Sequence, residues 1–521
     1  MSEDQKRNLE TQLWAIADTL RGRVTASEYR DYILGFIFYK YLSEKVELRA
    51  NEDLNRENLS FDALDPNNPA HQSDLDAIKT EVLLSFGCFL YPNQTFNAIL
   101  NKAKQEVGGK FTNVVADLLQ VFEMIQNGQI GTDNYNQFAG LFSGLDLDSI
   151  KLGNSAEEKN QAVVKILLAL EKINFGIEDT ESDILGDAYE FLISQFASDA
   201  GRNAGEFYTP QPVSKILAKI VTTGKKELQT AYDPTCGSGS LLLRIAKECT
   251  VENLYGQENN STTYNLARMN MILRGRHFSR FDIQLGDTLQ DPQHRHLLFD
   301  AIVANPPFSA QWEHSTHIIF DERFTPYGKF APKTKADFAF VQHILAQLAD
   351  NGTAAVVLPH GTLFRGGAEE EIRKVIIKKN NQLDAVIGLP ANVFYGTSIP
   401  TCILVFKKCR TTHDVLFIDA SQHFEKIKTQ NILRPQDIDK ITQTYQLRNT
   451  EPHFSRLVPL AEIEKNDFNL NIPRYVDTFV APSDIDPNHI AQSLQSLDND
   501  LQLNNNLLAT FCSELQISNP F

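Results

Sequence analysis

No stretch of this sequence stays apolar long enough to cross a bilayer, which sets aside a helical membrane protein. The opening residues, MSEDQKRNLE, are charged and lack the apolar core of a secretion signal. Cysteine is sparse: six in 521 residues, at 88, 236, 249, 402, 409 and 512, with no C-x-x-C and no paired spacing. A disulfide framework is thereby excluded, and dispersed thiols fit a reducing cytoplasm. The twelve histidines form no H-E-x-x-H, and their one local cluster, His294-Arg295-His296, fits a solvated loop. No structural or catalytic metal is expected. Positive charge is in deficit, with 49 Lys and Arg against 66 Asp and Glu, a net charge of −17. That excludes a protein that coats nucleic acid unaided, because phosphate binding relies on Lys and Arg. It leaves room for a nucleic-acid substrate presented by a partner. Residues 201–280 run against the trend, with eleven Lys and Arg against six acids. Ordinary helix surface and a phosphate-facing patch both account for this.

What is present divides the chain, whose length suggests more than one domain. Residues 1–165 read as an all-helical domain. Tyr32, Phe36, Tyr39 and Leu42 recur at three- and four-residue steps, which makes one apolar stripe. VVADLLQVFEMI and AVVKILLALEKI repeat the pattern. From 166 to 475 a second domain is expected, and from about 228 short extended runs alternate with helical ones. LQTAYD precedes SLLLRIAKE, NLYGQE precedes TYNLARMNMILRG, and FDIQLGD and FDAIVAN follow. Such alternation predicts an α/β fold, a doubly wound and mainly parallel sheet with helices on both faces. TCILVFKK follows LDAVIGLP with no helix between them, which predicts an antiparallel pair at one edge. Residues 476–521 read as a helical tail. There Ile490, Leu494, Leu497, Leu501, Asn504, Leu508, Phe511 and Leu515 form a heptad seam, as in a partner-binding helix.

The chemistry sits at predicted strand ends. Asp233-Pro-Thr-Cys-Gly237-Ser238-Gly239-Ser240 follows the first strand and opens a helix. Ligands of open parallel sheets bind at such ends. No Gly-Lys-Ser/Thr follows and a third glycine is missing, so neither a P-loop nor a dinucleotide fingerprint is present. The loop suits a nucleoside ligand without a pyrophosphate. Glu258 ends the second strand, where a carboxylate accepts from ribose hydroxyls, and Asp287 ends the third, placed for an adenine amino group. The fourth ends on Asn305-Pro306-Pro307-Phe308. Two prolines stop a sheet ladder and leave a stiff turn rich in acceptors. The Asn305 amide oxygen and the Pro306 carbonyl can converge on one exocyclic amine, and Phe308 can stack on its ring. That arrangement suits methylation of a weak nitrogen nucleophile, with Asn305 positioning rather than acting as a base. The segment 309–335 interleaves Trp312, Phe324, Tyr327 and Phe330 with Arg323, Lys329, Lys333 and Lys335, which suits a flipped base and its strand. The Arg365-Gly366-Gly367 turn is a further candidate for DNA contact.

Taken together, these motifs resemble S-adenosylmethionine-dependent amino-methyltransferases of DNA, and more closely the modification (M) subunits of type I restriction–modification systems. The likeness covers most of the chain. It includes Gly205-Glu-Phe-Tyr-Thr-Pro-Gln211, DPTCGSGSLLL, the strand ends at Glu258 and Asp287, NPPF, LPHGTLFRGG (358–367) and AVIGLPANVFYGTSIPTCILVF (385–406). The resemblance implies a Rossmann-like fold, S-adenosylmethionine as the cofactor and adenine N6 of double-stranded DNA as the target. Glu206, Phe207, Tyr208, Thr209, Pro210 and Gln211 would close over the methionine end of the cofactor. Asp233, Gly237, Ser238, Gly239 and Ser240 would hold its amino acid and sulfonium region. Glu258 would take the ribose and Asp287 the adenine, while Asn305, Pro306, Pro307 and Phe308 would handle the target base. It also implies a prokaryotic cytoplasm and a specificity (S) subunit bound by two copies of this chain. A restriction (R) subunit would join for cleavage. From the residues alone, cytosine N4, an RNA guanine, a protein glutamine and a non-catalytic scaffold remain open alternatives.

Overall fold

The computed structural model describes residues 11–12, 26–54, 59–105, 113–127, 135–177, 184–199, 209–394, 397–427, 430–478 and 487–519. The chain forms two units, 1–476 and 477–521. Among the described residues, no helix is long and apolar enough to cross a membrane.

The first unit opens with helices α1 (Ala26–Leu54), α2 (Gln72–Phe86), α3 (Phe96–Gln105), α4 (Val114–Asn127), α5 (Ala156–Glu171) and α6 (Ile184–Asp199). The stripe of α1 is the reason they pack: Tyr32, Phe36, Tyr39 and Leu42 are all buried. Each large apolar side chain so buried stabilises by roughly 1.5–3 kcal/mol. Phe122 of α4 stacks on Phe142 with ring centroids 4.2 Å apart.

Helix α7 (Gln211–Val221) then leads into the sheet. Its strands are β1 (Glu227–Asp233), β2 (Thr250–Glu258), β3 (Phe281–Leu285), β4 (Phe299–Ala304), β5 (Leu348–Pro359), β6 (Leu383–Gly388), β7 (Thr401–Lys407) and β8 (Val415–Asp419). A small hairpin of β9 (Glu425–Ile427) and β10 (Gln430–Ile432) stands apart, and β11 (Ser455–Val458) completes the main sheet. The helices between strands are α8 (Ser240–Glu248), α9 (Ser261–Leu273), α10 (Asp337–Gln347), α11 (Ala368–Lys374) and α12 (Pro435–Leu447), and α13 (Leu460–Lys465) follows β11. The nine strands run in the order β11-β8-β6-β7-β5-β4-β1-β2-β3. β1 to β6 and β8 are mutually parallel, and β7 and β11 are antiparallel to their neighbours.

Both faces of the sheet are buried, which is why its strands read as continuous apolar runs rather than alternating ones. Ala355 and Val357 of β5 and Ile403 and Val405 of β7 face one core, shared with α7, α8, α9, α12 and the N-terminal helices. Ala354, Val356, Leu404 and Phe406 face the other, shared with α10, α11 and α13. The N-terminal helices dock on α9: the Tyr41 hydroxyl donates to Ile272 O at 3.2 Å, and Asn265 Nδ2 donates to Gly140 O at 2.8 Å.

The antiparallel pair expected at an edge is internal instead. β7 bonds to β6 on one side and to β5 on the other, with β8 and β11 lying beyond β6. Thr401 to Phe406 are all buried, as a strand flanked on both sides requires.

The second unit carries helix α14 (Pro487–Glu514). Along its seam Ile490, Leu494, Leu497, Leu501, Leu508 and Phe511 are exposed, as is Leu515 just past its end.

Candidate active site

Strand order reverses between β1 and β4, since β2 and β3 lie to one side and β5 to the other. A crevice opens at such a switch point, outside the carboxyl ends of the strands. Asp233 pairs with Gly256, Glu258 with Leu285, and Tyr232 with Ile302, so the ends of β1 to β4 lie side by side. A cleft of about 370 Å³ opens there. One wall is polar, formed by Glu258, Asn259, Asn260, Asp287 and Thr288. The opposite wall is apolar, formed by Leu289, Ala310, Trp312, Ala336 and Phe340. Pro234 and Thr235 join from the glycine loop, and Asn305 and Pro307 from the end of β4.

The glycine loop is shaped by two left-handed residues, Gly237 at φ 54° and Gly239 at φ 76°. A side chain at 239 would also meet Met271 Cε at 2.8 Å, so glycine there serves packing on α9 as well as the turn. Asn270 Nδ2 donates to Ser238 O at 2.9 Å, and the Ser238 and Ser240 hydroxyls lie 3.1 Å apart. Asp233 is fully buried. Its Oδ1 accepts from Thr235 N–H at 2.9 Å, while Oδ2 is buried with no hydrogen-bond partner among the described residues. Burial pushes this carboxyl up to about 8, and the nearby Glu258 charge adds to the rise against the Thr235 hydrogen bond. Glu258 Oε2 accepts from Gly237 N–H at 3.0 Å and Oε1 from Asn260 N–H at 2.8 Å. Burial raises this carboxyl too, and those backbone donors oppose the shift. Asp287 Oδ1 accepts from Leu289 N–H at 2.9 Å and shapes the turn after β3.

The proline turn has two sides. Asn305 and Pro307 line the cleft, whereas the half-buried Phe308 packs on the opposite core, edge-on to Phe394 at 5.8 Å. Ser309 leaves the turn in a left-handed conformation, φ 52°. Thr209, Pro210 and Gln211 lead into α7 and do not line the cleft; Glu206, Phe207 and Tyr208 lie outside the described residues.

The segment 309–335 differs from its expectation. Trp312, Phe324 and Tyr327 turn inward, and Trp312 is held by its Nε1–H to Pro332 O at 3.0 Å. Arg323 is buried as well. It donates to Thr288 O and Leu289 O, both at 2.8 Å, to Asp321, and to His343 Nδ1 at 2.9 Å. Burial and the Arg323 charge hold His343 well below the usual histidine range. Its ring is therefore neutral, accepting from Arg323 on Nδ1 and carrying its proton on Nε2, 3.2 Å from the Tyr232 hydroxyl. Arg323 thus pins the segment that carries Asp287. Replacing Arg323 by Met will strand Asp321 and release both carbonyls. A buried pair broken this way costs about 3–5 kcal/mol. We expect a lower melting temperature and a weaker cofactor affinity, read by calorimetry; unchanged affinity would detach this network from the site.

In the described part of the basic stretch 201–280, Arg268 is buried and other cations are paired with acids. Lys219 pairs with Asp439, Lys247 and Arg274 with Asp187, and Arg280 with Glu252. Sequence reasoning missed Phe340 and Asn260 as cleft residues. Phe340 lies in an apolar helical run where core and cleft read alike, and Asn260 reads as the N-cap of α9, which it also is.

A doubly wound sheet with this cleft and an Asn-Pro-Pro-Phe turn beside it defines the class, a Rossmann-like methyltransferase. Residues 180–483 match the N-6 DNA Methylase family, and residues 9–168 match the HsdM N-terminal domain. The MpnII type I restriction enzyme methylase subunit of Mycoplasma pneumoniae is 35% identical over 520 residues, covering 95% of this chain and 94% of that one. The MjaVIII methylase subunit of Methanocaldococcus jannaschii is 30% identical over 505 residues, covering 93% and 80%. A crystal structure of a type I restriction-modification methyltransferase subunit from Streptococcus thermophilus aligns with TM-score 0.81 at 41% identity, over 91% of this chain and all of that one. The chain belongs to the N-6 DNA methylases, among the methylase subunits of type I restriction enzymes.

Proposed function

We propose that this subunit methylates adenine N6 in double-stranded DNA, using S-adenosylmethionine and acting within a type I restriction–modification complex. The observation that carries the assignment is the juxtaposition at the switch point. Two acids at strand ends, Glu258 and Asp287, line the same cleft as Asn305 and Pro307 of a rigid acceptor turn, and a buried carboxylate with an unmatched oxygen, Asp233, lies next to the cleft residues Pro234 and Thr235. These residues fit the cofactor. Asp233 Oδ2 lacks a partner that a cationic ammonium or sulfonium would supply, and the acids at the ends of β2 and β3 can accept from ribose and adenine. When bound, S-adenosylmethionine supplies a methyl group made electrophilic by its sulfonium.

The chain's own residues do the rest. In this reading Glu206 to Gln211 are assigned to the methionine end and Gly237 to Ser240 to its cradle, Glu258 to the ribose and Asp287 to the adenine. A base inside a duplex is out of reach, so the target is flipped. Asn305 and the Pro306 carbonyl accept from the target amine and localise its lone pair toward the methyl. Pro307 stiffens the turn, and Phe308 stacks on the flipped ring. Asn305 is neutral, so it accepts a hydrogen bond and the displaced proton leaves to solvent.

The helical region 1–165, the catalytic region 166–475 and the tail 476–521 divide the work, with the tail contacting a specificity subunit shared by two copies of this chain. A restriction subunit joins for cleavage, all in the cytoplasm. Deleting 487–521 will weaken capture of the specificity subunit and spare cofactor affinity. Undiminished co-purification would remove α14 from the interface.

Label transfer tests the whole assignment. The chain is isolated with its native partners, given methyl-labelled S-adenosylmethionine and unmodified DNA, and the labelled nucleoside is identified. N6-methyladenine supports the proposal; label in cytosine overturns the base, and label confined to RNA or protein overturns the substrate.

A further inference from the structure

The segment LPHGTLFRGG (358–367) has no role in the scheme above, and its arginine was expected to face DNA. Arg365 faces inward. One guanidinium nitrogen donates to Asp337 Oδ2 at 2.8 Å and to Glu369 Oε1 at 3.3 Å, and the other to the Ser309 hydroxyl at 3.3 Å. Asp337 is fully buried at the start of α10, and its Oδ1 accepts from Ser309 N–H at 2.9 Å. Ser309 is the left-handed residue that directly follows Phe308. A serine there is strained and persists only where its surroundings over-determine it. The carboxylate that holds it is itself held by Arg365.

Gly361 shows how the guanidinium is seated. A Cβ at 361 would lie 2.7 Å from Arg365 Nε and from one terminal nitrogen, so the fork rests against bare backbone. That backbone is pinned in turn: Arg373 donates to Thr362 O at 3.0 Å, and the Thr362 hydroxyl to Pro359 O at 2.8 Å. The chain of support runs from β5 through Gly361, Arg365 and Asp337 to the exit of the catalytic turn.

We propose that Arg365 is a positioning residue for methyl transfer, seated on Gly361 and acting through Asp337 on Ser309 to hold the Asn305–Phe308 turn. This rests on the assignment of that turn to the target base. Lysine cannot reproduce the arrangement, because a single ammonium lacks the planar fork that spans Asp337, Glu369 and Ser309.

The test uses the chain with its native partner subunits. Arg365→Lys is expected to lower single-turnover methylation by about 10²-fold, the scale of a 1 Å misplacement. Cofactor affinity, DNA affinity and the salt dependence of DNA binding are expected to stay at wild-type values. Gly361→Ala keeps every charge, and its methyl would lie 2.7 Å from Arg365 Nε, so it is expected to slow transfer with the same signature. Gly366→Ala, whose methyl would meet only Glu370 Oε2 at 3.6 Å, is expected to match wild type.

Wild-type turnover in Arg365→Lys or Gly361→Ala overturns the inference. So does loss of DNA affinity with a salt slope reduced by about one, the mark of a phosphate contact. A parallel loss of cofactor affinity and melting temperature would reduce Arg365 to a structural role. Absence of DNA methylation by the wild-type complex would instead overturn the functional assignment itself.

Discussion

Replacing Asn305 by alanine will lower methyl transfer by on the order of 10²–10³-fold, as loss of one preorganised hydrogen-bonding group does elsewhere, and leave cofactor affinity within a small factor of wild type. The amide lines the cleft at the end of β4, where Pro306 and Pro307 deprive the chain of N–H donors and fix its direction. Its contribution is an acceptor held in place before the reaction, so its removal falls on the chemical step. Phe308→Ala removes the ring proposed to stack on the target base, and base–aromatic stacking is worth about 1–3 kcal/mol. Phe308 also packs on the core beside Phe394, so Phe308→Trp is the companion variant: it keeps a stacking face and should retain more activity than alanine. Single-turnover methylation and cofactor calorimetry, run side by side, check this. Loss of cofactor binding in both alanine variants would place the turn in the cofactor site instead of the target site.

Asp233→Asn will weaken cofactor binding by about 10- to 150-fold, the value of a hydrogen bond to a charged group. Asparagine can still accept from Thr235 N–H, so the loop keeps its shape while the charge is lost. The pH dependence follows from the carboxyl being pushed up to about 8 by burial and by Glu258. Below about 3.8 it is protonated folded and unfolded; between there and about 8 only the unfolded chain ionises. Folding stability in the absence of cofactor therefore falls as pH rises through this window. A cationic cofactor prefers the ionised carboxylate, so its affinity rises with pH toward about 8 and binding releases a proton. Calorimetry in two buffers of different ionisation heat reads that proton directly. Affinity that is flat with pH in the wild type, with no proton released, would take Asp233 out of contact with the cofactor's cationic end.

Much of the site is local information. Asp233, Glu258, Asp287 and Asn305 each stand within two residues of a strand end, and strand ends are marked by glycine, proline and a change of period. Proline removes a donor and glycine admits φ > 0 wherever they occur, so these turns can be read without knowing the rest of the molecule. What failed was side-chain direction. Trp312, Phe324 and Arg323 look in sequence like a nucleic-acid surface, because aromatics interleaved with cations carry no mark of facing inward. The burial of Arg323 rests on Thr288 and Leu289, more than thirty residues away in the chain, which offer it their carbonyls.

The sequence by itself determined the alternating elements, the places where the strands stop, and which chemical groups stand at those stops, because each follows from backbone preferences over a few residues. Tertiary structure decided the rest. It inserted β7 between β5 and β6, since a fully buried strand needs two neighbours and only one of them is adjacent in the chain. It turned Arg365 from an exposed turn onto Asp337, because a buried ionised carboxylate is stabilised by a cation and this one is within reach. It also joined Phe340 and Trp312 to the acids in one cleft, bringing apolar and polar walls together from segments that share no local signal.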